Sequence, residues 1–339
     1  MFPDIDDVKV MAEISEAAKK QSKRTAAAAV AVVAVLSLAF IGLVSFLDGT
    51  ADRVEEGSVS IESASSTSPF YVLLIGSDSR KGTALYTGNK TDHAQVDQHS
   101  DVMTLMRVDP ETYTITLVSI PRDTVLQGSS SKINDALLDN DPEEVVAVAE
   151  QLTGVEIDFY MMTTFTTFEA LIDALGGVTV DVPKDVKVPD PMTADSISLK
   201  AGASQLLDGS EALVLARARK EYGDNQEALR QINVRNLEMA MIRKVLSLDS
   251  EKSANAVLVD LEENTETNLN MASIGYLVVD FITHREDVTV YSATGPYAGS
   301  ENADGLWVVR EDPETWAELM AVVDAGDDPE GIVRLPSHS

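Results

Sequence analysis

Residues 25–47, TAAAAVAVVAVLSLAFIGLVSFL, contain no charged side chain. At 1.5 Å rise per residue a helix of this length spans about 34 Å, against a hydrocarbon core of roughly 30 Å. No other feature restricts the chain so strongly, because such a run is at home in a bilayer and not in water. A cleaved leader has a shorter apolar region closed by a small-residue cleavage site. This run is longer and passes directly into Asp48, so an uncleaved anchor is the expectation. Lys19, Lys20, Lys23 and Arg24 precede it, and Asp48, Asp52, Glu55 and Glu56 follow. Basic flanks stay in the cytoplasm. The expected layout is a single-pass cell-membrane protein: residues 1–24 cytoplasmic, 25–47 transmembrane, and the remainder outside.

The charge then falls on one side. Lys and Arg number 26 and Asp and Glu 56 over 339 residues, and the first 24 residues are balanced, so the net −30 belongs to the outer part. A surface of that sign repels polyanions, which argues against a nucleic-acid partner. The chain has no cysteine, so neither disulfides nor thiolate metal sites contribute. Residues 48–68 are small, polar and Ser-rich, and read as an extracellular tether.

From residue 69 the pattern becomes that of a folded domain. Apolar runs at 70–78, 101–109, 113–120, 155–163, 178–183 and 287–293 read as strands, the second and third joined antiparallel through the turn sequence DPET. Helical spacing covers 142–154, closed by Gly154, and 165–177, closed by Gly-Gly. It continues over 203–219, 225–248, a stretch near 270–283, and 312–326. Alternating helices and strands predict an α/β fold, an α-β-α sandwich around a central mixed sheet behind one N-terminal transmembrane helix. The expected catalytic unit is 69–290, with 291–339 an extension packing on or beside it.

Two aspartates mark the ends of neighbouring strands. Asp78 closes IGSD and Asp101 opens SDVM, so an antiparallel pairing brings both to one edge of the sheet. Two carboxylates without cysteine or a histidine cluster suit a hard cation such as Mg²⁺, with Mn²⁺ as a substitute. The bland alternative is solvated turn chemistry. A third account, a His/Asp transition-metal site from His93, Asp97, His99 and Asp101, lacks any periodic pattern to align its members. Arginine tips the balance. The outer part has 12 arginines, and five of them (Arg217, Arg219, Arg230, Arg235, Arg243) lie between 217 and 243. Arg217 and Arg219 diverge on a regular helix, but face one side if the helix ends between them. Arg122 hangs from the end of a buried strand, directly after Pro121. Guanidinium forks match phosphate oxygens, so carboxylate-held cation and arginines together fit a pyrophosphate. The competing reading is a surface helix balancing Glu211, Glu221 and Glu227.

Six segments carry a family resemblance: LLIGSDSR, HSDVMTLMRVDPETYTITLVSIPRDT, KINDA, FTTFEALIDALGGVTVDVP, LKAGASQLLDGSEALVLARAR and GDNQEALRQINVR. In this order, over roughly 70–248, they resemble the catalytic domain of the LytR–CpsA–Psr family. The resemblance implies a membrane-bound phosphotransferase that moves a glycopolymer (teichoic acid, capsule or other wall polysaccharide) from a polyprenyl-pyrophosphate carrier to peptidoglycan, leaving polyprenyl phosphate. By position, Asp78 and Asp101 correspond to the Mg²⁺-binding aspartates. Arg122, Arg217, Arg219 and Arg230 correspond to arginines around the pyrophosphate, and Lys132 and Asn134 lie in its KIN segment. Arg122, Asp78 and Asp101 are the expected catalytic residues, and Lys132 joins the four arginines as an expected pyrophosphate ligand.

The chain departs from that pattern at His99, where arginine is usual, in a long loop between Asp78 and Asp101, and at Asn233 and Arg235 on the helix that follows Arg230. The resemblance also implies an apolar groove for the carrier, lined by some of 165–178 and 236–248. Asp101 and Asp123 are the two available candidates for a base. Two other functions keep the same residues in play: a polyprenyl-pyrophosphate hydrolase using water as acceptor, and a non-catalytic wall-binding or regulatory protein.

Overall fold

The computed structural model describes residues 68–78, 98–139, 141–193, 195–247, 266–269, 280–281, 284–303 and 305–334. The expected membrane span at 25–47, nearly all of the tether, the loop 79–97 with His93 and Asp97, and most of the helix expected near 270–283 lie outside them. Among the described residues no helix is long and apolar enough to cross a membrane.

A six-stranded mixed sheet forms the middle layer. Its strands are β1 (Phe70–Ser77), β2 (Ser100–Asp109), β3 (Thr114–Ser119), β5 (Phe159–Thr163), β10 (Glu266–Thr267) and β11 (Thr289–Thr294), in spatial order β10-β5-β1-β2-β3-β11. β1, β2 and β3 pair antiparallel, while β5 lies parallel to β1 and β11 parallel to β3. Strand side chains alternate between faces, and each face finds its own cover. Val72, Met106, Leu117 and Met161 point into one core, whereas Leu73, Ile75, Leu105 and Val118 point into the other. The first core is closed by α2 (Phe165–Ala174), α3 (Gly209–Arg217) and α4 (Gln226–Leu246), the second by α1 (Pro142–Thr153) and α5 (Pro313–Asp324). This is the three-layer arrangement expected from the sequence.

Caps set the helix limits. Asp141 accepts from Glu143 N at 3.0 Å ahead of Pro142, and α1 stops at Gly154, whose φ of 75° is left-handed. The expected helix over 203–219 is half strand. Asp208 and Glu211 form a capping box, with Asp208 Oδ1 accepting from Glu211 N at 2.9 Å, so α3 starts only at Gly209. The residues before it, β9 (Gly202–Leu207), pair with β6 (Val178–Val182). A second hairpin missed in the sequence, β7 (Val186–Pro189) with β8 (Ser196–Leu199), packs against α3. Beyond β11 the chain makes β12 (Gly299–Glu301) and β13 (Trp307–Arg310). β13 pairs in parallel with β4 (Thr124–Val125), the two residues that follow Arg122 and Asp123.

Candidate functional site

Pro121 explains the end of the strand before Arg122. Ile120 still donates to Met103 O at 2.8 Å, but proline has no N–H to continue the ladder. Its carbonyl instead accepts from Thr124 N (3.1 Å) and Thr124 Oγ1 (2.6 Å), a tight turn with Arg122 inside it. Val309 of β13 donates to Asp123 O at 2.9 Å, and Asn134 N to Arg122 O at 3.3 Å. The loop is therefore fixed from two sides.

The antiparallel register opposes Ser77 and Ser100, which brings Asp78 and Asp101 to the same sheet edge. Asp78 N donates to His99 O at 3.1 Å, and Asp78 Oδ1 accepts from His99 N at 2.8 Å. The His99 ring stands between two carboxylates, 3.6 Å from Asp78 and 3.6 Å from Asp135.

Arg122 Nη1 is ion-paired with Asp101 Oδ1. Arg230 Nη2 donates to Asp101 O at 2.7 Å and lies 2.6 Å from Glu227 Oε1. Arg219 Nη2 is 3.3 Å from Glu227 Oε2, and Arg122 Nε is 3.9 Å from Glu227 Oε1. Three guanidinium groups thus converge on one carboxylate that is only 13% exposed. Burial alone would raise the Glu227 pKa, but Arg230, by charge and hydrogen bond, and then Arg122 and Arg219 pull it down to about 2. The Nε atoms of Arg122 and Arg219 are buried without a hydrogen-bond partner. Such donors are rarely left idle in a folded protein.

Arg217 stands apart from that trio. α3 ends at Arg217 and Ala218 is extended (φ −62°, ψ 127°), so Arg217 and Arg219 serve one cavity rather than opposite helix faces. Arg217 donates to Pro189 O at 2.9 Å and its guanidinium lies 5.1 Å from the centre of the Phe165 ring. Lys132 is held by Asp123 Oδ1 at 2.6 Å, and Asn134 is buried with Oδ1 unpartnered. Both candidate bases, Asp101 and Asp123, are occupied by ion pairs. The two departures on α4 point away from the arginine trio. Asn233 is buried and donates to Tyr222 OH at 2.6 Å, and buried Arg235 donates to Ser119 Oγ at 3.1 Å.

Glu227 escaped the sequence reading, where it counted only as a balancing surface charge. The signal was its position three residues before Arg230, on one helix face, within the stretch where the arginines cluster.

Behind the arginines lies an apolar cavity of about 280 Å³ between the sheet and α2, α3 and α4. Leu74, Met161, Phe168, Leu171, Leu213 and Met241 line it, with Asp101, Arg217, Arg219 and Arg230 among its polar residues. Phe165, Phe168 and Leu171 come from the first segment expected to form a groove, and Met241 from the second. Glu238 also faces this cavity. Its Oε1 accepts from Thr104 Oγ1 at 2.9 Å while Oε2 is buried without a partner. Burial raises its pKa to about 7, against the opposing effects of Thr104 and Arg235.

That shift has a testable sign. Below an ordinary carboxyl pKa of about 4.5, Glu238 is protonated folded or unfolded and costs nothing. Between that value and 7 only the unfolded chain releases the proton, so stability falls by about 3 kcal/mol and then levels off. Chemical denaturation at several pH values is expected to show this loss in the parent and a smaller loss in Glu238→Gln. Parallel curves would remove Glu238 as the cause.

No group of three or more His, Asp or Glu side chains among the described residues is placed to hold a metal ion. Asp78 and Asp101 are a two-carboxylate set with hard oxygen donors. They suit a cation whose remaining ligands are water and phosphate.

The comparisons agree with this architecture. A model described as the LytR_cpsA_psr family matches residues 45–319. The chain is 29% identical over 264 residues to the polyisoprenyl-teichoic acid–peptidoglycan teichoic acid transferase TagU of Bacillus mycoides, covering 75% of this chain and 78% of that protein. It is 30% identical over 258 residues to the TagU of Bacillus cereus strain AH820, covering 73% and 75%. The crystal structure of B. subtilis TagV superposes with a TM-score of 0.60 at 24% identity, over 77% of this chain and 97% of that one. A structure of TagT bound to LIIa-WTA superposes at 0.57 with 23% identity, over 81% and 95%. The chain belongs to the LytR–CpsA–Psr family.

Proposed function

We propose that this protein is a phosphotransferase that moves a glycopolymer from a polyprenyl-pyrophosphate carrier to peptidoglycan through a phosphodiester bond. One observation carries the reading: Arg219 and Arg230 line an apolar cavity, Arg122 converges with them on Glu227, and the Nε atoms of Arg122 and Arg219 are buried without a hydrogen bond. A ligand that fits both parts is a lipid with a pyrophosphate head. The apolar part would be held by burial, at about 0.8 kcal/mol per CH₂, and the head by charge-assisted hydrogen bonds. The names of the TagU relatives support a teichoic acid donor and a peptidoglycan acceptor. An anchor at 25–47 would hold the site beside the membrane that contains the carrier.

In this reading an acceptor hydroxyl oxygen bonds to the glycan-side phosphorus as the bond to the bridging oxygen breaks. Polyprenyl phosphate leaves with the electron pair, and the hydroxyl proton is lost to solvent or to a neighbouring carboxylate. Arg122, Arg219 and Arg230 offset charge on the transferring and departing phosphates, and Arg217 stands at the cavity wall. Asp78 and Asp101 would hold Mg²⁺, which when bound adds positive charge against the phosphate oxygens. Three guanidiniums already face three carboxylates, Asp101, Asp123 and Glu227, so a cation on Asp78 and Asp101 would leave more of the arginine charge for the ligand. Positioning and electrostatics account for catalysis of this type.

The test supplies the full-length protein with a labelled lipid-pyrophosphate glycan and peptidoglycan fragments, with Mg²⁺ or with chelator. Label is expected on peptidoglycan only when the metal is present. Free glycan phosphate without transfer would replace the ligase by the hydrolase. Absence of turnover with every donor would favour a binding protein.

A further inference from the structure

A second cavity, about 710 Å³, borders the arginine trio from another side. It shares Arg219 with the apolar cavity and no other lining residue. Asp101 and Arg230 face the apolar side, whereas Arg122 and Glu227 face the second groove. Its far walls come from the part of the chain for which the sequence suggested no site: Tyr297, Trp307 and Arg334.

Trp307 is unusual in being 49% exposed on an otherwise ordered strand. It is also seated. A Cβ on Gly299, which lies on the paired strand β12, would come within 2.8 Å of the indole Cζ2, so the glycine leaves room for the ring to rest on the backbone. A large aromatic surface is thus presented to the groove in a fixed position. The same groove is lined by Lys132, Gln226 and Arg334, polar side chains that can meet hydroxyl and amide groups. An aromatic platform ringed by hydrogen-bonding groups suits a saccharide, whose C–H faces pack on the ring while its hydroxyls meet the rim. A lipid would leave these polar groups unpaired.

We infer that this groove binds the acceptor glycan strand, with Trp307 as its stacking platform. The inference rests on the transfer reading above, and in-line displacement decides between donor and acceptor. The attacking and departing oxygens lie on opposite sides of the phosphorus. Polyprenyl phosphate departs towards the apolar cavity, so the attacking hydroxyl enters from the groove beyond the arginines. The platform is also registered to the reaction centre. Val309, two residues after Trp307, is paired with Thr124, two residues after Arg122.

The experiment uses the full-length protein in detergent and soluble glycan strands of alternating N-acetylglucosamine and N-acetylmuramic acid, freed of peptide by an amidase. The chain has two tryptophans, and Trp316 is only 1% exposed, so acrylamide quenching reports on Trp307. Strands are expected to protect Trp307 without any donor present. Trp307→Ala is expected to weaken strand binding in calorimetry, and to raise the KM for acceptor, about tenfold, while donor affinity stays unchanged and Trp307→Phe retains most of the binding. Unaltered strand binding in Trp307→Ala would overturn the assignment. So would a loss confined to the donor, which would make the groove the donor's. Strand binding by a wild-type protein that transfers nothing would sink the transfer reading while keeping the groove as a glycan site.

Discussion

Arg122→Ala is expected to lower turnover by roughly two to three orders of magnitude, the usual cost of removing one fixed donor from a site of developing charge. The guanidinium is held within a turn made by Pro121 and Thr124, ion-paired to Asp101, with Nε buried and unpartnered. It lines the second cavity and is ion-paired to Asp101 of the apolar one, where the transferring phosphate would lie. Arg122→Lys keeps the charge and loses the planar fork, so its rate is expected between the two. The fold should survive, because Glu227 retains Arg230 and Arg219 and the loop backbone retains its bonds to Val309 and Asn134. Initial rates with the lipid-pyrophosphate donor and a thermal melt of the same preparation separate the two effects. Wild-type turnover in the alanine variant would take Arg122 out of the reaction.

The second large effect is on stability. Trp316→Ala is expected to cost about 3–5 kcal/mol, as for other buried tryptophans cut to alanine. That is a large share of the 5–15 kcal/mol that holds a typical domain together. Trp316 is 1% exposed on α5, packed in the second core with Leu73, Leu105 and Val145, and its indole lies where a Cβ on Gly295 would be. Its loss leaves a cavity that a helix clamped to a sheet cannot close. Urea midpoints with matched slopes measure the cost. A cost below about 1 kcal/mol would mean that α5 is an appendage rather than part of the core.

Much of this arrangement could be read from the chain. Apolar runs gave β1, β2 and β3, and the antiparallel order of β1 and β2 put Asp78 and Asp101 at one edge. Gly154 and the Gly176–Gly177 pair marked helix ends because their left-handed φ values admit few other residues. The stretch 202–207 was misjudged because Leu206, Leu207 and the apolar run after Asp208 fit helical spacing. The capping box at Asp208 and Glu211, a local hydrogen-bond competition, decides where the helix begins. β7 and β8 were missed because strands of only four residues, half of them exposed, carry too short a pattern to register. The arginines of the site were legible one by one. Glu227 was not, since its meaning lies in contacts with Arg122 and Arg219, which no spacing along the chain reveals. The same holds for the placing of Trp307 in the groove with Arg122, which depends on β13 crossing to β4.

That crossing also sets an order of events. The strand that braces the Arg122 loop is paired with residues some 185 positions earlier, so it is among the last pieces of the domain to leave the ribosome. Until it arrives, Asp123 O lacks the Val309 N–H that fixes the turn, and Trp316 is missing from one of the two cores. A chain part-way through synthesis can assemble the central hairpins and still hold its arginine loop unbraced. Competence therefore comes as a final step of folding, when a long-range pairing closes over a site whose parts were made much earlier.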